Sequence, residues 1–313
     1  MTIDAKYLEK FINVTSKAAI ASSYLVGKKD KLAADKAAVD AMRFELNKLD
    51  MLGKVVIGEG SLDKAPMLYT GEVLGNKKGP KFDIAVDPLE GTNFVANNLP
   101  GALTVIAVTN ESNLFNAPET YMNKISAKLS EKGVVDLDFS IKKNIYNLSE
   151  YKNTKPSMLR VCLLDRPRHK KIIDELNTLG VQLKLISDGD VSGALLVTNK
   201  KYNVDLFLGI GGGPEGVLAA CALDAFNCFF QGKLLFHSNE EKEMANRLGI
   251  NDFNKKYELN EIVSGDSLFC ATGITSGDIV GGIKKNKDEF ELETFATHKS
   301  LGLRKIIKTK YKI

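Results

Sequence analysis

The chain has 313 residues, of which 44% are apolar and 26% are charged, with four cysteines and no tryptophan. This length and composition are typical of one large or two ordinary globular domains, and they argue against long disordered segments. The net charge of +4 comes from 43 Lys and Arg against 39 Asp and Glu. So small a surplus does not favour a nucleic-acid-binding protein.

The first third of the chain is predicted to form two helices followed by short strands. Apolar residues follow helical spacing over residues 11–25 and 34–46, with a glycine-containing hinge at 27–30 between them. Runs of β-forming residues bounded by Gly, Pro or Asp follow at 54–58, 82–86 and 103–108. We therefore expect a helix pair and a sheet in this part of the chain.

The second half alternates strands and helices more regularly. Strands are predicted at 159–164, 182–186 and 204–210, and helices near 168–179, 190–198 and 214–226. Such alternation predicts a mostly parallel sheet covered by helices. A Lys- and Asn-rich stretch near 140–157 is typical of a linker. We therefore predict an α/β fold of two sheet-containing halves, residues 1–150 and 151–313.

The basic surplus is concentrated at the C-terminus, where residues 299–313 contain six Lys or Arg and no acid. This segment could bind phosphate or another polyanion. Alternatively it is a solvated edge strand, because Lys308, Lys310 and Lys312 alternate with Thr, Tyr and Ile. The alternation favours the edge strand.

No targeting or membrane segment is predicted. The first ten residues carry charges throughout and lack the apolar core of a signal peptide, and the longest charge-free run is interrupted by Pro100 and four Asn. The cysteines form no Cys-x-x-Cys pair and the three histidines are scattered, which disfavours zinc and disulfides. We expect a cytoplasmic protein with reduced, buried thiols that binds neither membrane nor nucleic acid.

The strongest chemical signal is the segment 87–92, DPLEGT, directly after a predicted strand. The carboxyl end of a strand is where α/β proteins usually place ligand groups, and the proline and glycine let the backbone direct Asp87 and Glu90 toward one point. Adjacent carboxylates repel unless a cation lies between them, and oxygen ligands suit Mg²⁺ or Mn²⁺. The Thr92 hydroxyl could then orient a metal-bound water. The alternative is a solvated turn.

Two further acids extend the metal hypothesis. Glu59 follows the strand at 54–58 between two glycines, and Asp35 lies on the alanine-rich face of the second helix. A carboxylate packed among alanines needs a partner, which a metal could supply. The alternatives are an exposed turn acid for Glu59 and a salt bridge from Asp35 to Lys31 or Lys36.

The glycine-rich segment 209–216, GIGGGPEG, lies between a predicted strand and a helix. Its glycines would let backbone N–H groups approach a phosphate at the helix N-terminus. It is not a Walker A loop, because no Lys-Ser/Thr pair follows, and Gly-x-Gly alone is weak evidence for a dinucleotide site. Glu215 beside a phosphate would require a cation, which favours a metal-assisted phosphate site over a nucleotide-binding oxidoreductase.

Two more strand ends carry polar groups. Arg166 and Arg168 could clamp a phosphate, and Asp188 and Asp190 could accept hydrogen bonds from sugar hydroxyls. A solvated loop for the arginines and an ordinary turn with a helix cap for the aspartates are the alternatives.

The chain resembles the class II fructose-1,6-bisphosphatases of the GlpX type. The resemblance rests on VVIGEGSLDKAPMLYTGE (55–72), DIAVDPLEGTN (83–93), NAPETYMNK (116–124), RPRH (166–169), SDGDV (187–191), GIGGGPEG (209–216) and ATGITSGD (271–278). It implies the layered α-β-α-β-α sandwich of the inositol-phosphatase-like, lithium-sensitive sugar phosphatases. It also implies dependence on Mn²⁺ or Mg²⁺ and hydrolysis of the 1-phosphate of fructose 1,6-bisphosphate to fructose 6-phosphate, a step of gluconeogenesis.

The resemblance also implies three groups of site residues. The metal ligands would be Asp35, Glu59, Asp87, Glu90 and Glu215. Thr92 would orient the attacking water, with Lys31 and Asp63 near the reaction centre. The substrate contacts would be Glu90, Gly91, Thr92, Tyr121, Arg166, Pro167, Arg168, Asp188, Gly189, Asp190 and Gly212. We further expect a homo-oligomer, a dimer or a tetramer, acting on a small-molecule sugar bisphosphate.

Two alternative functions stay open at this point. The substrate could be sedoheptulose 1,7-bisphosphate or another sugar or inositol phosphate. The chain could also be a weakened sugar-phosphate-binding protein, because Ser61 stands where the family usually has an acid.

Overall fold

The computed structural model describes residues 2–60 and 68–313. Its helices are α1 (Lys6–Ser23), α2 (Lys31–Asn47), α3 (Thr92–Asn97), α4 (Ile141–Tyr151), α5 (Lys170–Thr178), α6 (Asp190–Leu195), α7 (Gly213–Asp224), α8 (Asn239–Arg247) and α9 (Leu259–Ile262). Its strands are β1 (Leu52–Ile57), β2 (Val73–Leu74), β3 (Lys81–Glu90), β4 (Leu103–Asn110), β5 (Tyr121–Ala127), β6 (Arg160–Leu164), β7 (Gln182–Ile186), β8 (Leu206–Gly212), β9 (Phe229–Leu235), β10 (Lys256–Glu258), β11 (Ser267–Gly273), β12 (Lys284–Lys285), β13 (Glu289–His298) and β14 (Leu303–Lys312). Within the described ranges, no helix has both the length and the apolar character needed to cross a membrane.

The chain divides into two compact units, residues 1–116 with 262–313 and residues 117–261. This division differs from the boundary expected at residues 150 and 151. The stretch expected to be a linker is largely helix α4, because Ile145 and Leu148 fall on one face and are buried in the second unit's core. The first unit is discontinuous, since the chain returns to it at residue 262.

The first unit contains a sheet with the strand order β12-β13-β11-β4-β3-β1-β2, with β14 paired to β13. Of its neighbouring strands, β1 and β3 run parallel and the other described pairs are antiparallel. Helices α1 and α2 pack against the sheet through an apolar core that includes Phe11, Met42 and Ile84. Asp30 caps α2 by accepting a hydrogen bond from the Ala33 N–H at 2.9 Å. The two helices and three strands predicted for this part are confirmed.

The basic C-terminal segment forms the edge strand β14, as its alternation predicted. Its lysines face the acids of β13. Lys308 lies 3.2 Å from Glu293, and Lys310 lies 2.6 Å from Glu289 and 2.8 Å from Glu291. Lys308 and Lys310 of the tail are therefore paired with acids of the neighbouring strand.

The second unit contains a sheet with the strand order β10-β9-β5-β8-β6-β7. Helices cover both faces, because Leu206 and Leu208 join a core with α4 and α5, whereas Phe207 lies against Gly193 of α6. The expectation of a mostly parallel sheet is wrong. Strand β6 runs parallel to β7 and β8, but β5, β9 and β10 add antiparallel pairs. The four cysteines of the chain are buried thiols, as expected.

The order β7-β6-β8 positions the polar strand ends of the second unit. In this order β7 lies on one side of β6 and β8 lies on the other. The chain therefore runs from β6 outward to β7 and then crosses back past β6 to form β8. The carboxyl ends of β6 and β8 therefore flank a topological switch point, where open α/β sheets commonly bind ligands.

Candidate active site

The acidic segment of the first unit joins a strand end to a helix. Asp87 pairs with Val105 of β4 and Glu90 with Leu103, so three steps along β3 match two along β4. This irregularity is a bulge, which turns side chains away from the regular alternation. The Asp87 carboxylate also accepts a hydrogen bond from the Leu89 N–H at 3.1 Å. The backbone thereby holds the Asp87 carboxylate, and Glu90 is buried rather than part of a solvated turn.

Gly91 makes the turn from β3 into α3. Its φ of +83° is left-handed, a conformation that favours glycine, and a Cβ there would lie 2.6 Å from the Phe94 ring. Thr92 follows as the first residue of α3, at the helix N-terminus. Lys31 is likewise the first residue of its helix, α2, and is exposed. Asp63 and Ser61 lie outside the described residues.

Glu59 and Asp35 form a second acidic group in the first unit. Glu59 follows β1, the parallel neighbour of β3, so it lies at the same sheet edge as Asp87. Burial, with a smaller contribution from the negative charge of Asp35, raises the pKa of Glu59 to about 8. Burial also raises the pKa of Asp35, and Lys36 pairs with Asp40 instead.

The carboxylate of Glu59 has the features of a cation ligand. Its Oε2 atom is buried and has no hydrogen-bond partner in residues 2–60 and 68–313. A buried carboxylate beside a second carboxylate is unfavourable unless a positive charge joins them. In the same described ranges, no group of three or more His, Cys, Asp or Glu lies close enough to form a complete metal site. Of the predicted ligands of this unit, the structure brings Asp35 and Glu59 close enough for the charge of one to affect the other.

The arginine segment of the second unit lies at the switch point. Arg168 donates a hydrogen bond from Nε to the Ile210 carbonyl at 2.9 Å, and its guanidinium lies 5.1 Å from the centroid of the Tyr121 ring. The Arg166 guanidinium lies 3.6 Å from Asp188. Pro167 begins the single 3-10 turn that carries Arg168. Strand-end groups predicted to contact the substrate therefore converge within this unit.

Asp190 is engaged by a residue that the sequence did not indicate. Lys124, on the central strand β5, is 1% exposed and forms an ion pair with Asp190. It also donates a hydrogen bond to the Gly212 carbonyl at 2.8 Å. Gly209 and Gly232 lie beside it on the two neighbouring strands. Asp190 is predicted to contact the sugar, yet in the structure its carboxylate pairs with a buried ammonium.

Glu215 lies in the first turn of α7 with its carboxylate against Gly212. A Cβ on Gly212 would lie 1.8 Å from the Glu215 Oε2 atom, so a larger residue there would displace the Glu215 carboxylate. Burial raises the pKa of Glu215, while the positive charge of Lys124 opposes this shift. In the same unit, Gly189 directly precedes α6 and has a left-handed φ of +86°. Glu215 is therefore a partly buried acid of the second unit that a cation would stabilise.

His169 is not among the site residues predicted from the sequence, although it ends the segment RPRH. The imidazole is fully buried, and it contacts the carbonyl of Leu164 and the N–H of Ile210. Its contacts lie 5 and 41 residues away in the chain, so no local pattern signals them.

Comparison with known proteins decides the family. The model of the family "Bacterial fructose-1,6-bisphosphatase, glpX-encoded" matches residues 5–311 of the chain. The chain belongs to this family. It is a class II fructose-1,6-bisphosphatase by family and therefore a phosphoric monoester hydrolase, and the resemblance stated from its motifs is confirmed.

Curated relatives agree with the family match. The chain is 42% identical over 295 residues to a "D-fructose 1,6-bisphosphatase class 2/sedoheptulose 1,7-bisphosphatase" of Prochlorococcus marinus strain MIT 9515, covering 90% of this chain and 89% of the relative. The protein of the same description from strain MIT 9303 is 41% identical over 300 residues, covering 91% and 90% of the two chains.

Solved structures of other proteins show a more distant likeness. The extragenic suppressor protein SuhB from Bartonella henselae is 10% identical with a TM-score of 0.36, covering 63% of this chain and 73% of that one. An inositol monophosphatase from Anabaena (Nostoc) sp. PCC 7120 is 13% identical with a TM-score of 0.33, covering 68% and 80%.

Proposed function

We propose that this family member hydrolyses the 1-phosphate of fructose 1,6-bisphosphate to fructose 6-phosphate and inorganic phosphate, in the cytoplasm, as a step of gluconeogenesis. The observation that carries the proposal is the family match over residues 5–311. The cluster of Arg168, Tyr121 and the glycine-rich segment 209–216 at the switch point supports a phosphorylated substrate.

We propose Mg²⁺ or Mn²⁺ as the cofactor, because the acidic groups fit such an ion. Among the described residues the buried Oε2 atom of Glu59 has no hydrogen-bond partner, and this atom and the raised pKa of Glu59 both favour a positive charge beside it. In the first unit, Asp35 with Glu59 and Asp87 with Glu90 would hold cations, and Glu215 of the second unit is proposed as a further ligand. A bound divalent cation supplies charge neutralisation for phosphate oxygens and lowers the pKa of a water.

The chain's own side chains would position the reactants. Thr92, fixed at the start of α3, would orient the water for in-line attack, and by family resemblance Lys31 and Asp63 are proposed to act at the reaction centre. Arg168 would hold the distal phosphate, the one that is not hydrolysed. This contact would fix the sugar, so that binding holds the reacting phosphate close to the catalytic groups. The remaining proposed sugar-phosphate contacts are Gly91, Tyr121, Arg166, Pro167, Asp188, Gly189, Asp190 and Gly212.

A phosphate-release assay over fructose 1,6-bisphosphate, sedoheptulose 1,7-bisphosphate and an inositol phosphate tests this function. We expect release with Mn²⁺ or Mg²⁺ and its loss with EDTA, and an Asp87→Ala variant should lose activity by ~10²-fold or more. A purified protein inactive with both metals on every substrate would contradict the proposal.

Sedoheptulose 1,7-bisphosphate is the second candidate substrate, because the similar Prochlorococcus proteins carry both activities in their names. Comparing kcat/KM for the two bisphosphates decides between them. Tight binding of either sugar bisphosphate without turnover, measured by calorimetry, would instead support a sugar-phosphate-binding protein with weakened catalysis. Ser61, in place of the family's usual acid, would then be the first residue to test.

A further inference from the structure

Strands β6 and β8 diverge at the switch point of the second unit. Their ladder pairs Val161 with Leu206 and Cys162 with Phe207. Beyond these pairs the two strands are joined through the imidazole of His169, whose Nδ1 lies 2.7 Å from the Leu164 carbonyl and whose Nε2 lies 2.7 Å from the Ile210 nitrogen. A side chain thus bridges the opening between the two strands.

The two contacts define one protonation state of the ring. Because the Ile210 N–H is a donor, Nε2 must accept, and the remaining ring proton is on Nδ1, where it donates to the Leu164 carbonyl. A doubly protonated imidazole could not accept from Ile210. The bridge therefore requires a neutral ring, and burial, the largest cause, lowers the pKa of His169 and favours that form.

The bridge fixes the peptide groups on both sides of Ile210. His169 accepts from the Ile210 N–H, while the neighbouring Arg168 donates to the Ile210 carbonyl at 2.9 Å. Gly209, directly before, has a φ of +138°, and a Cβ there would lie 3.0 Å from Nε2. Two consecutive residues of the connection after β6, Arg168 and His169, therefore hold one residue of the glycine-rich segment 209–216 within β8.

We propose that His169 is a positioning residue of the substrate site, which sets affinity for the sugar bisphosphate by holding Arg168 and the glycine-rich segment 209–216 at a fixed separation. The inference rests on the proposed function, in which Arg168 and Gly212 contact the substrate. We place its effect on binding, because His169 is fully buried and both of its hydrogen bonds in the described part of the chain go to the backbone of Leu164 and Ile210.

Three substitutions at this position separate the two hydrogen bonds. His169→Phe keeps the ring shape and removes both bonds, His169→Gln can place an acceptor near the Nε2 position, and His169→Asn can place a donor near the Nδ1 position. Steady-state kinetics with fructose 1,6-bisphosphate and saturating Mn²⁺ should be measured for each variant, together with its melting temperature.

We expect KM to rise about tenfold or more in the Phe and Asn variants, with kcat changed less than about threefold. The Gln variant, which retains the acceptor for Ile210, should stay within about threefold of the wild-type KM. A Phe variant with wild-type KM, or an Asn variant that binds better than the Gln variant, would overturn the proposal. If the Phe variant does not fold, the Asn and Gln variants still test the proposal, because it requires a higher KM for Asn than for Gln.

His298→Phe is the matched control for the loss of a buried imidazole. His298 is also fully buried and contacts the Ile3 carbonyl at 3.0 Å within the first unit. We expect this variant to melt at a lower temperature with an unchanged KM. An equal rise in KM would show that general destabilisation explains the effect, which contradicts a positioning role.

The proposed function and the role of His169 can fail separately. A wild-type protein without activity on any bisphosphate contradicts the function. Calorimetric titration of the same variants with fructose 1,6-bisphosphate then tests the positioning role, which requires the same order of affinities. An active wild type with indifferent His169 variants contradicts the positioning role alone.

Discussion

At the scale of single residues, the second unit is organised by two buried polar side chains. Lys124 on β5 pairs with Asp190 at the start of α6 and donates to the carbonyl of Gly212. His169 joins the ends of β6 and β8. Each satisfies groups that would otherwise be buried without partners, so each is costly to remove and specific in what it holds.

Replacing Lys124 should strongly destabilise the protein. In Lys124→Met the Asp190 carboxylate, 8% exposed, loses its ammonium partner, and breaking such a buried pair costs about 3–5 kcal/mol. Chemical denaturation should show this loss, and the double variant Lys124→Met with Asp190→Asn should recover most of it. Lys310→Met on the exposed edge strand is the control. A Lys124→Met protein as stable as the wild type would contradict the structural role of the pair.

Acid should destabilise the folded protein through His169. Burial is the main cause that lowers its pKa from an ordinary value of 6.5, with Arg168 acting in the same direction and Asp190 opposing. As pH falls below 6.5, the unfolded chain binds a proton that the folded chain does not, so the free energy of unfolding decreases. It continues to decrease until the pH passes the folded-state pKa.

Denaturation of the wild type and of His169→Gln between pH 7.5 and pH 5 measures this contribution. The wild type should lose more stability over this range than the Gln variant, because only the wild type carries the titrating ring. Equal losses would show that His169 titrates alike in the folded and unfolded chains.

At the scale of elements, the segment from β3 into α3 depends on a glycine. In Gly91→Ala the new methyl would strain a φ of +83° and meet the Phe94 ring, which displaces the start of α3 and Thr92. We expect a loss of about 1–3 kcal/mol in stability and a fall in kcat.

Gly249→Ala controls for backbone strain alone. Gly249 has a φ of +82°, and among the described residues no atom comes within 4 Å of the place that an added methyl group would take. Its variant should lose stability but keep kcat. Similar kcat values for the Gly91 and Gly249 variants would contradict the view that the bulge and turn position Thr92.

At the scale of the whole molecule, the second unit is an insertion in the first. The chain leaves and re-enters the first unit side by side, where Leu114 bridges to Val263 and the Phe115 N–H donates to the Ile262 carbonyl at 2.8 Å. The ends of the first unit are thus already paired at the insertion point.

Joining residue 116 to residue 262 through a short Gly-Ser linker should give a folded first unit, since the linker closes a short gap. Circular dichroism and a cooperative thermal transition would show folding. A fragment of residues 151–313, cut at the boundary suggested by composition, should not fold cooperatively. The reverse result would contradict the division into these two units.

Local sequence patterns predict the helices and strands whose apolar residues are regularly spaced. Strong apolar periodicity indicates α1, α2, β3 and β4, and strand-end acids and glycines indicate the candidate site. Composition predicts a linker where helix α4 forms, because few residues of this helix face the core. Strand β5 is not predicted although it is central, because its polar residues do not follow the pattern of a buried strand. Lys124 pairs with a residue 66 positions away, and the return of the chain at residue 262 depends on packing, so neither leaves a local signal.

The C-terminal strand has a consequence for solubility. A strand at the end of a sheet presents unpaired backbone groups to which strands of other molecules can add. Lys308 and Lys310 of β14 pair with glutamates of β13 and keep their side chains largely exposed, so charge remains along this border. Another chain approaching here would have to desolvate these charged groups, which disfavours aggregation through this border.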